Sequence, residues 1–435
     1  MTVIPELTEA DPAVAGEGSL DPLGLASIAE QLAEQLLPSV RARMQRIRFV
    51  TASAVGALAS EGLHDIPPED RVSTPSLCFE WLVLASFAKT NAQLKALDAS
   101  GVPGSSKTWS VYKRGERLSA RNYLKSPGVF GFTGVYLPLA RDLRVLDDAR
   151  RSGPQSFELI RAWELDDPEF RGGFVDGATG SSGQAFRKKL RVEIESSLRS
   201  GHCSLDEGKH LVSQIAGAFH PERMGQHERS LYRRWLTDDE SNVRSEVARL
   251  IGKIAGDYEF DMIASLLSAQ ISGDLRRRLT AIRDYELVAN TLTSAFRKIA
   301  RRSTVNVSKP VEIGHLVDDE VLGRCFSVLP SALTKAEESL GDLEGGLAGI
   351  LQSRLIKFFS LGTVGDFVES LMVHHEDVQT RKPPAGKRPW FEQHDKGWVI
   401  RSLYTEAQDI EFELEAFVHP YRLYAMKSFL KDVAP

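Results

Sequence analysis

Basic and aromatic residues alternate in one part of this sequence, between residues 107 and 136. Residues 85–128 contain eight basic residues and two acids, a balance of +6, although the whole chain of 435 residues has a formal net charge of −5. Lysine and arginine neutralise phosphate groups, and aromatic rings stack on bases or pack beneath a groove that holds the backbone. Trp109, Tyr112 and Tyr123 lie among these cations. We therefore predict nucleic-acid contacts from Lys107, Lys113, Arg114, Arg117, Arg121 and Lys125.

A second group of cations follows at Arg141, Arg144, Arg150 and Arg151. The sequence predicts a short helix over 138–146, a turn, and a second short helix over 157–165. This order is typical of a helix-turn-helix or winged-helix module, which places cations against the DNA backbone. We therefore add these four arginines to the predicted interface and expect a winged-helix-like portion at about residues 105–165.

A third basic cluster, Arg276, Arg277 and Arg278, opens a long periodic segment that predicts a helix over 275–302. Residues 276–309 contain nine basic residues and two acids, a balance of +7, whereas residues 1–40 contain seven acids and no lysine or arginine. The cluster could form a second phosphate-facing surface, or it could pair with the acidic N-terminal tail, in this chain or in a partner. Solvated helix faces that carry lysine and arginine for solubility have the same pattern.

The acidic run at 409–415 (DIEFELE) suggests a different function, metal-dependent catalysis. If the run is a strand, its alternation places Glu411, Glu413 and Glu415 on one face, with Lys427 downstream. Two carboxylates and a lysine could serve a metal-dependent nuclease. An exposed acidic face would give the same pattern, so the nuclease is the alternative hypothesis.

Two further motifs do not meet the requirements of the chemistry they suggest. The segment Gly101–Thr108 has Ser106 where a phosphate-binding loop needs a glycine before its lysine, so we predict a surface turn. His202, Cys203 and His210 have no second pair of ligands at a matching spacing, so we predict structural roles for them. The sequence thus predicts no catalytic residue, no metal site and no cofactor.

The composition, 42% hydrophobic and 26% charged, is that of an ordinary globular protein with two or three packed domains. Apolar periodicity of 3.6 dominates, so we predict a mainly α, multi-helix protein. The expected ranges are a disordered acidic tail (1–20), a helical domain with the winged-helix-like portion (21–171), a second helical domain (184–375) and a C-terminal segment (390–435). Three scattered cysteines exclude a disulfide framework and favour a reducing cytoplasm. No apolar run is long enough for a membrane span.

Two stretches carry a resemblance: LLPSVRARMQRIRFVTA at 36–52 and SARNYLKSPGVFGFTGVYLPLARDLRVLD at 119–147. They resemble uncharacterised bacterial proteins found in phage-defence loci, in which an LP…RxRxRF-like stretch precedes a helical body. The resemblance covers about a third of the chain and contains no catalytic motif. It implies action together with defence enzymes on foreign DNA, and it assigns no role to any residue.

These observations lead to three hypotheses about function. The first is a non-catalytic, cytoplasmic DNA-binding or adaptor subunit of a bacterial anti-phage defence complex, with double-stranded DNA and the other subunits as partners and no membrane contact. The second is the metal-dependent nuclease. The third is a protein–protein scaffold that docks through its acidic tail. Salt-dependent DNA binding separates the first from the third, and metal-dependent cleavage separates the second from both.

Overall fold

The computed structural model describes residues 21–90 and 101–434, apart from short gaps at 168, 171, 207–209, 240–241, 255, 257, 306–308, 384–385 and 395–396. The predicted acidic tail lies outside the described residues. Within them the protein is mainly helical, as the sequence predicts, and has one three-stranded sheet. No helix in the described ranges combines the length and apolar character needed to cross a membrane.

The helices of the first half of the chain are α1 (Ala26–Leu36), α2 (Arg48–Ala59), α3 (Pro75–Thr90), α4 (Ser105–Lys113), α5 (Pro127–Phe130), α6 (Phe132–Val135), α7 (Leu137–Asp142), α8 (Ser156–Asp166) and α9 (Ser182–Ser200). Those of the second half are α10 (His210–Ala218), α11 (Gln226–Thr237), α12 (Val243–Ile251), α13 (Glu259–Ser268), α14 (Gly273–Val305), α15 (Glu320–Gly341), α16 (Leu347–Leu355), α17 (Val364–Thr380) and α18 (Leu423–Asp432). The strands are β1 (Val311–Glu312), β2 (Phe391–His394) and β3 (Gly397–Ile400).

The chain forms two compact units, and neither is continuous in sequence. Unit 1 contains residues up to Leu36 together with Tyr258–Tyr421, and unit 2 contains Leu37–Asp257 together with residues from Arg422 onward. The sequence analysis instead divides the chain into consecutive ranges. The reason for the difference is that α1 packs on α14 and α18 packs on α12, contacts between segments far apart in sequence that local periodicity does not register.

In unit 1, α14 is the central element, and it packs along α15 and against α1. Helix α1 begins at Ala26, and just before it the Asp21 carboxylate accepts hydrogen bonds from the backbone N–H groups of Leu25 (2.8 Å) and Ala26 (3.2 Å). The strands form an antiparallel sheet in the order β1-β3-β2 and pack beside α14.

In unit 2, α3 is buried on all sides, as its apolar composition predicts. Its start is also as predicted: Pro75 occupies the first turn, and the Thr74 hydroxyl accepts a hydrogen bond from the Leu77 N–H. Phe79 and Trp81 are fully buried. A helix that is hydrophobic all round belongs in a core, because no face of it is suited to water.

A carboxylate lies inside this apolar helix. Glu80 of α3 is 0% exposed, and it accepts hydrogen bonds from the Tyr123 hydroxyl (2.6 Å) and from both the N–H (2.9 Å) and the hydroxyl (2.6 Å) of Thr133. Burial raises the pKa of Glu80, and the hydrogen bonds from Thr133 and Tyr123 oppose that rise. Because buried polar groups need partners, Glu80 fixes the segment 123–133 against α3.

Two glycines make this network sterically possible. A Cβ at Gly131 would lie 2.0 Å from the Glu80 Oε1, and a Cβ at Gly104 would lie 2.0 Å from the Tyr123 hydroxyl. Gly104 also has a φ of 86°, in the left-handed region, and directly precedes α4. The glycine of the GVPGSSKT segment is therefore needed for packing, which agrees with the prediction of a turn.

Several details of the sequence analysis are wrong or incomplete. The run 409–415 is not a strand, because it pairs with no neighbour, and its burial alternates only over 409–413. Thr237, which spacing suggests as a helix start, is the last residue of α11, and α12 is capped instead by the Asn242 side chain. Helix α2 is missing from the sequence analysis. In the portion 105–165, β structure is limited to two isolated bridges, Leu146–Ser152 and Ser119–His202, so no sheet of a winged helix is seen among these described residues.

The Glu80 network gives a prediction about stability. Glu80→Ala should lower the free energy of unfolding by roughly 2–4 kcal/mol, because the Tyr123 hydroxyl and the Thr133 N–H are left buried without an acceptor. Glu80→Gln should lose much less, since an amide oxygen can accept from Thr133 and the amide NH₂ can donate to Tyr123. Urea unfolding of the three proteins measures this. Equal losses for Ala and Gln would contradict the hydrogen-bonding role.

The same pair of proteins gives a prediction about pH. Because its pKa is raised, Glu80 of the folded protein stays protonated at pH values above 4.5, the ordinary pKa of this side chain. Its stabilising contribution is therefore complete at low pH and declines as the pH rises through the raised pKa. The free energy of unfolding of the wild type, relative to Glu80→Gln, should fall as the pH rises from 4.5. A relative stability that rises with pH would contradict a raised pKa.

Candidate nucleic-acid interface

The first group of predicted cations lies on α4 of unit 2 and just after it. Lys107 and Lys113 are exposed. Trp109 stacks on Tyr112, with ring centroids 5.7 Å apart and planes 17° apart, and the Lys113 Nζ lies 5.2 Å from the Trp109 ring centroid. These two rings therefore pack against each other and against Lys113, and the Trp109 ring makes a cation–π contact with the Lys113 ammonium group.

Two cations of this group have partners in the chain. Arg114 pairs with Glu116 at 2.7 Å, and Arg117 pairs with Asp206 at 2.5 Å. All four side chains are 43–50% exposed. Exposed ion pairs contribute at most about 1 kcal/mol to stability, so an incoming phosphate could replace either carboxylate.

Arg121 and Lys125 lie on either side of Tyr123, one of the two residues that bond to Glu80, and both are exposed. Tyr123, the aromatic residue between them, is 4% exposed and donates to Glu80. Tyr123 is thus a structural residue and is not available to stack on a base, whereas its two basic neighbours project to solvent.

The second group begins with Arg141 at the end of α7 and continues on the connection between α7 and α8. Asp147 closes this turn, since its N–H donates to the Arg151 carbonyl (3.0 Å) and its carboxylate accepts from the Arg151 N–H (2.7 Å). Arg144 and Arg150 have φ values of 55° and 61°, in the left-handed region that only a tightly constrained turn imposes on arginine. Arg141 bonds to Asp148, while Arg144 and Arg151 are exposed.

Arg150 differs from its neighbours because its side chain is half-buried. Burial lowers its pKa, the nearby Arg141 adds to that effect, and Glu80 opposes it. The Arg150 side chain lines a small pocket with Ser60 and His64, beneath which lies Thr133. A cation is therefore held partly out of water at the edge of the basic turn.

The third group, in unit 1, has a different environment. Arg276 donates to the carbonyls of Leu267 (3.0 Å) and Ala269 (3.2 Å), at the end of α13. Arg277 and Arg278 both pair with Asp274 at 3.0 Å, and Arg278 also donates to the Gln35 carbonyl. Arg276 and Arg278 thus join α14 to α13 and α1, whereas the Arg277 pair lies within α14. The sequence does not distinguish these roles from phosphate binding.

The arginine-rich run at 41–48, which contributes to the resemblance, includes two structural residues. Arg48 is 3% exposed and pairs with the fully buried Glu228 at 3.5 Å, and the Thr51 hydroxyl donates to the same carboxylate at 2.5 Å. Burial raises the pKa of Glu228, and Arg48 opposes that rise. Arg46 pairs with Asp432 of α18 at 2.7 Å. The apolar residues that follow Arg48 in α2 are the signal in the sequence that it is buried.

The C-terminal carboxylates do not form a metal site. Glu411 and Glu413 are exposed, and Asp409 pairs with Lys298 at 2.9 Å, which lowers the pKa of Asp409. Over the described ranges, no three His, Cys, Asp or Glu side chains are grouped to hold a metal ion. This geometry gives the nuclease hypothesis no support.

The cluster of His202, Cys203 and His210 is also structural where it is described. Cys203 is 2% exposed, and its N–H donates to the Leu118 carbonyl at 2.7 Å. Burial raises the pKa of its thiol to about 11. A thiol with this pKa stays protonated at neutral pH and is a poor metal ligand or nucleophile.

Comparison with protein-family models, curated proteins and solved structures finds no match for this chain. The resemblance to phage-defence proteins therefore gains no support from relatives. Contacts, burial and charge in the two units are the basis on which a function can be proposed.

The arrangement of the C-terminal carboxylates gives a prediction. Supercoiled plasmid incubated with the purified chain and Mg²⁺ or Mn²⁺ should stay intact, because Glu411 and Glu413 lack the convergent ligands that two-metal cleavage needs. Agarose electrophoresis measures the nicked and linear products. Metal-dependent cleavage that is lost in Glu411→Ala and Glu413→Ala, but kept in the exposed control Glu338→Ala, would establish the nuclease instead.

Proposed function

We propose that unit 2 binds double-stranded DNA through its phosphate backbone, without catalysing a reaction on it. The proposed interface is the basic surface of residues 101–151, which holds ten basic residues and four acids. Within the described chain, six exposed cations make no side-chain hydrogen bond or ion pair: Lys107, Lys113, Arg121, Lys125, Arg144 and Arg151. The exposure of these six cations is the observation that carries the proposal, because cations without partners in the chain are available to phosphates.

The contrast with unit 1 supports the choice of surface. Arg276 and Arg278 are engaged with backbone carbonyls in or beside α13 and α1, so a phosphate would have to displace contacts that join helices, whereas the exposed Arg277–Asp274 pair lies within α14. The cations of 101–151 have no such role, although Arg114, Arg117 and Arg141 form exposed pairs with acids. Charge balances of +6 for residues 101–151 and +7 for residues 276–309 would not lead to this choice.

The order α7, turn, α8 favours a helix-turn-helix relationship. The exposed face of α8 carries Phe157 and Leu165, and its Glu158 pairs with Arg234. Such a face is poorly suited to reading base edges, which calls for hydrogen-bonding side chains. We therefore assign the DNA contacts to the turn and to α4, and we expect binding with little sequence preference.

The proposal also includes an adaptor role in an anti-phage complex, which rests on the resemblance of residues 36–52 and 119–147. In that role the chain would hold DNA while another subunit acts on it. A protein–protein scaffold remains the competing function, and DNA binding distinguishes it from the adaptor.

The decisive experiment compares variants that remove equal charge from different surfaces of unit 2. One variant replaces Lys107, Lys113 and Arg121 with Gln, and a second does the same at Lys125, Arg144 and Arg151. The matched control carries Gln at the exposed Lys188, Lys189 and Lys253. Binding to a fluorescent duplex is followed by anisotropy across a salt titration.

Each phosphate contact removed should reduce the salt slope by about one unit, so each interface variant should lose up to about three units, equally on unrelated duplexes. The control should keep the wild-type slope. Folding should be unchanged in all three, because exposed cations contribute little to stability. Wild-type slopes in both interface variants, or an equal loss in the control, would reject this surface and favour the scaffold.

A further inference from the structure

A small pocket of unit 2 lies beside the turn that carries the second group of arginines. Ser60 follows the last residue of α2, His64 lies four residues later, and Arg150 reaches the pocket from the turn. Phe79 and Thr133 form part of its wall. The three polar side chains come from two segments about 90 residues apart and meet only in the folded unit.

Two polar atoms of this pocket are buried without a partner. The hydroxyl of Ser60, a residue only 2% exposed, and the Nε2 of His64 make no hydrogen bond within the described chain. Buried polar atoms in native proteins are nearly always hydrogen-bonded, to the protein, to water or to a ligand. Both residues line the same pocket, so a group that enters it could accept hydrogen bonds from both.

The third member, Arg150, supplies charge. Its guanidinium makes no hydrogen bond or ion pair within the described chain, although the side chain is half-buried. The nearby carboxylate, Glu80, already accepts three hydrogen bonds from Tyr123 and Thr133. The positive charge therefore faces the pocket without a counterion in hydrogen-bonding contact.

Other polar groups of the wall are already engaged. The Ser53 hydroxyl donates to the Phe49 carbonyl at 2.8 Å, and the Thr133 hydroxyl donates to Glu80. The open groups are thus a hydroxyl, an imidazole nitrogen and a guanidinium, all of which can donate. This set of donors matches an oxyanion and not a cation.

We propose that Ser60, His64 and Arg150 form an oxyanion site that takes a phosphate group. The cavity has room for roughly one water-sized atom, so a phosphate would insert one oxygen towards Ser60 and His64 and leave its other oxygens beneath Arg150. The phosphate could be a phosphodiester of bound DNA, which rests on the proposed function, or free phosphate.

The test observes His64 directly. Histidine is labelled with ¹⁵N and ¹³C in the full chain, and His64→Gln identifies the His64 signal among the 10 histidines. Inorganic phosphate is titrated at constant ionic strength set with chloride. The His64 signal should shift and saturate at millimolar phosphate, whereas chloride alone should leave it unchanged.

Variants test the other two members. Ser60→Ala removes an unpaired hydroxyl from a small site and should fold normally, yet weaken phosphate binding about tenfold. Arg150→Gln should abolish the saturating shift, and the exposed Lys188→Gln should leave it as in the wild type. If Arg150→Gln fails to fold, Ser60→Ala still decides. An unsaturated shift in the wild type, or wild-type phosphate affinity in Ser60→Ala, would overturn the site.

A DNA titration separates the two sources of phosphate. A His64 shift caused by duplex DNA, and lost in Ser60→Ala, identifies a phosphodiester as the ligand. A shift with free phosphate but none with bound DNA supports the oxyanion site with free phosphate as its ligand. If the chain does not bind DNA at all, the proposed function is wrong. The phosphate titration still tests the oxyanion site, because it does not depend on DNA binding. If DNA binds with the expected salt slope and neither ligand shifts His64, the site is wrong and the proposed function stands.

Discussion

The hydrogen bonding of Glu80 is the constraint on which the functional surface of unit 2 depends. A carboxyl group inside an apolar helix must find donors, and Tyr123 and Thr133 supply them. This requirement fixes Tyr123, which lies between Arg121 and Lys125, and holds Thr133 at the wall of the oxyanion pocket. The approach is close enough that Gly104 and Gly131 must lack side chains. A polar group in the core thus determines where cations lie on the surface.

Arginines in this protein have two roles that charge counting cannot separate. Arg48 is buried against Glu228, and Arg46 joins the start of α2 to α18 through Asp432. Both are part of the packing of unit 2. Arg144 and Arg151, by contrast, extend from a turn whose geometry Asp147 sets. The partner of each cation, more than the number of cations, distinguishes a surface for phosphate from a framework of ion pairs.

The titratable groups of unit 1 that attract attention in the sequence hold its chain segments together. His374 and His375 bond to the carbonyls of Leu23 and Pro22, and His375 also accepts from the Trp390 N–H, so neither is arranged as a metal ligand. The buried Glu286 accepts hydrogen bonds from the side chains of His419 and Tyr421. These contacts attach the two ends of the unit to α14 and α17. The open donors described above lie in unit 2.

The helical class, and the elements with the strongest local signals, could be predicted from the sequence. Pro75 and the apolar run after it predict α3, and apolar periodicity predicts most of α14. These signals are readable in the sequence because a helix forms between residues that are close together along the chain. Tertiary structure alone decided which cations are free, since Arg48 meets a glutamate 180 residues away and Arg278 meets the carbonyl of Gln35. It also left the alternating run at 409–415 unpaired, because a strand needs a partner that alternation does not provide. The oxyanion pocket is another feature that the tertiary structure decides. Residues 60, 64 and 150 meet through long-range packing, and no spacing in the sequence predicts that contact.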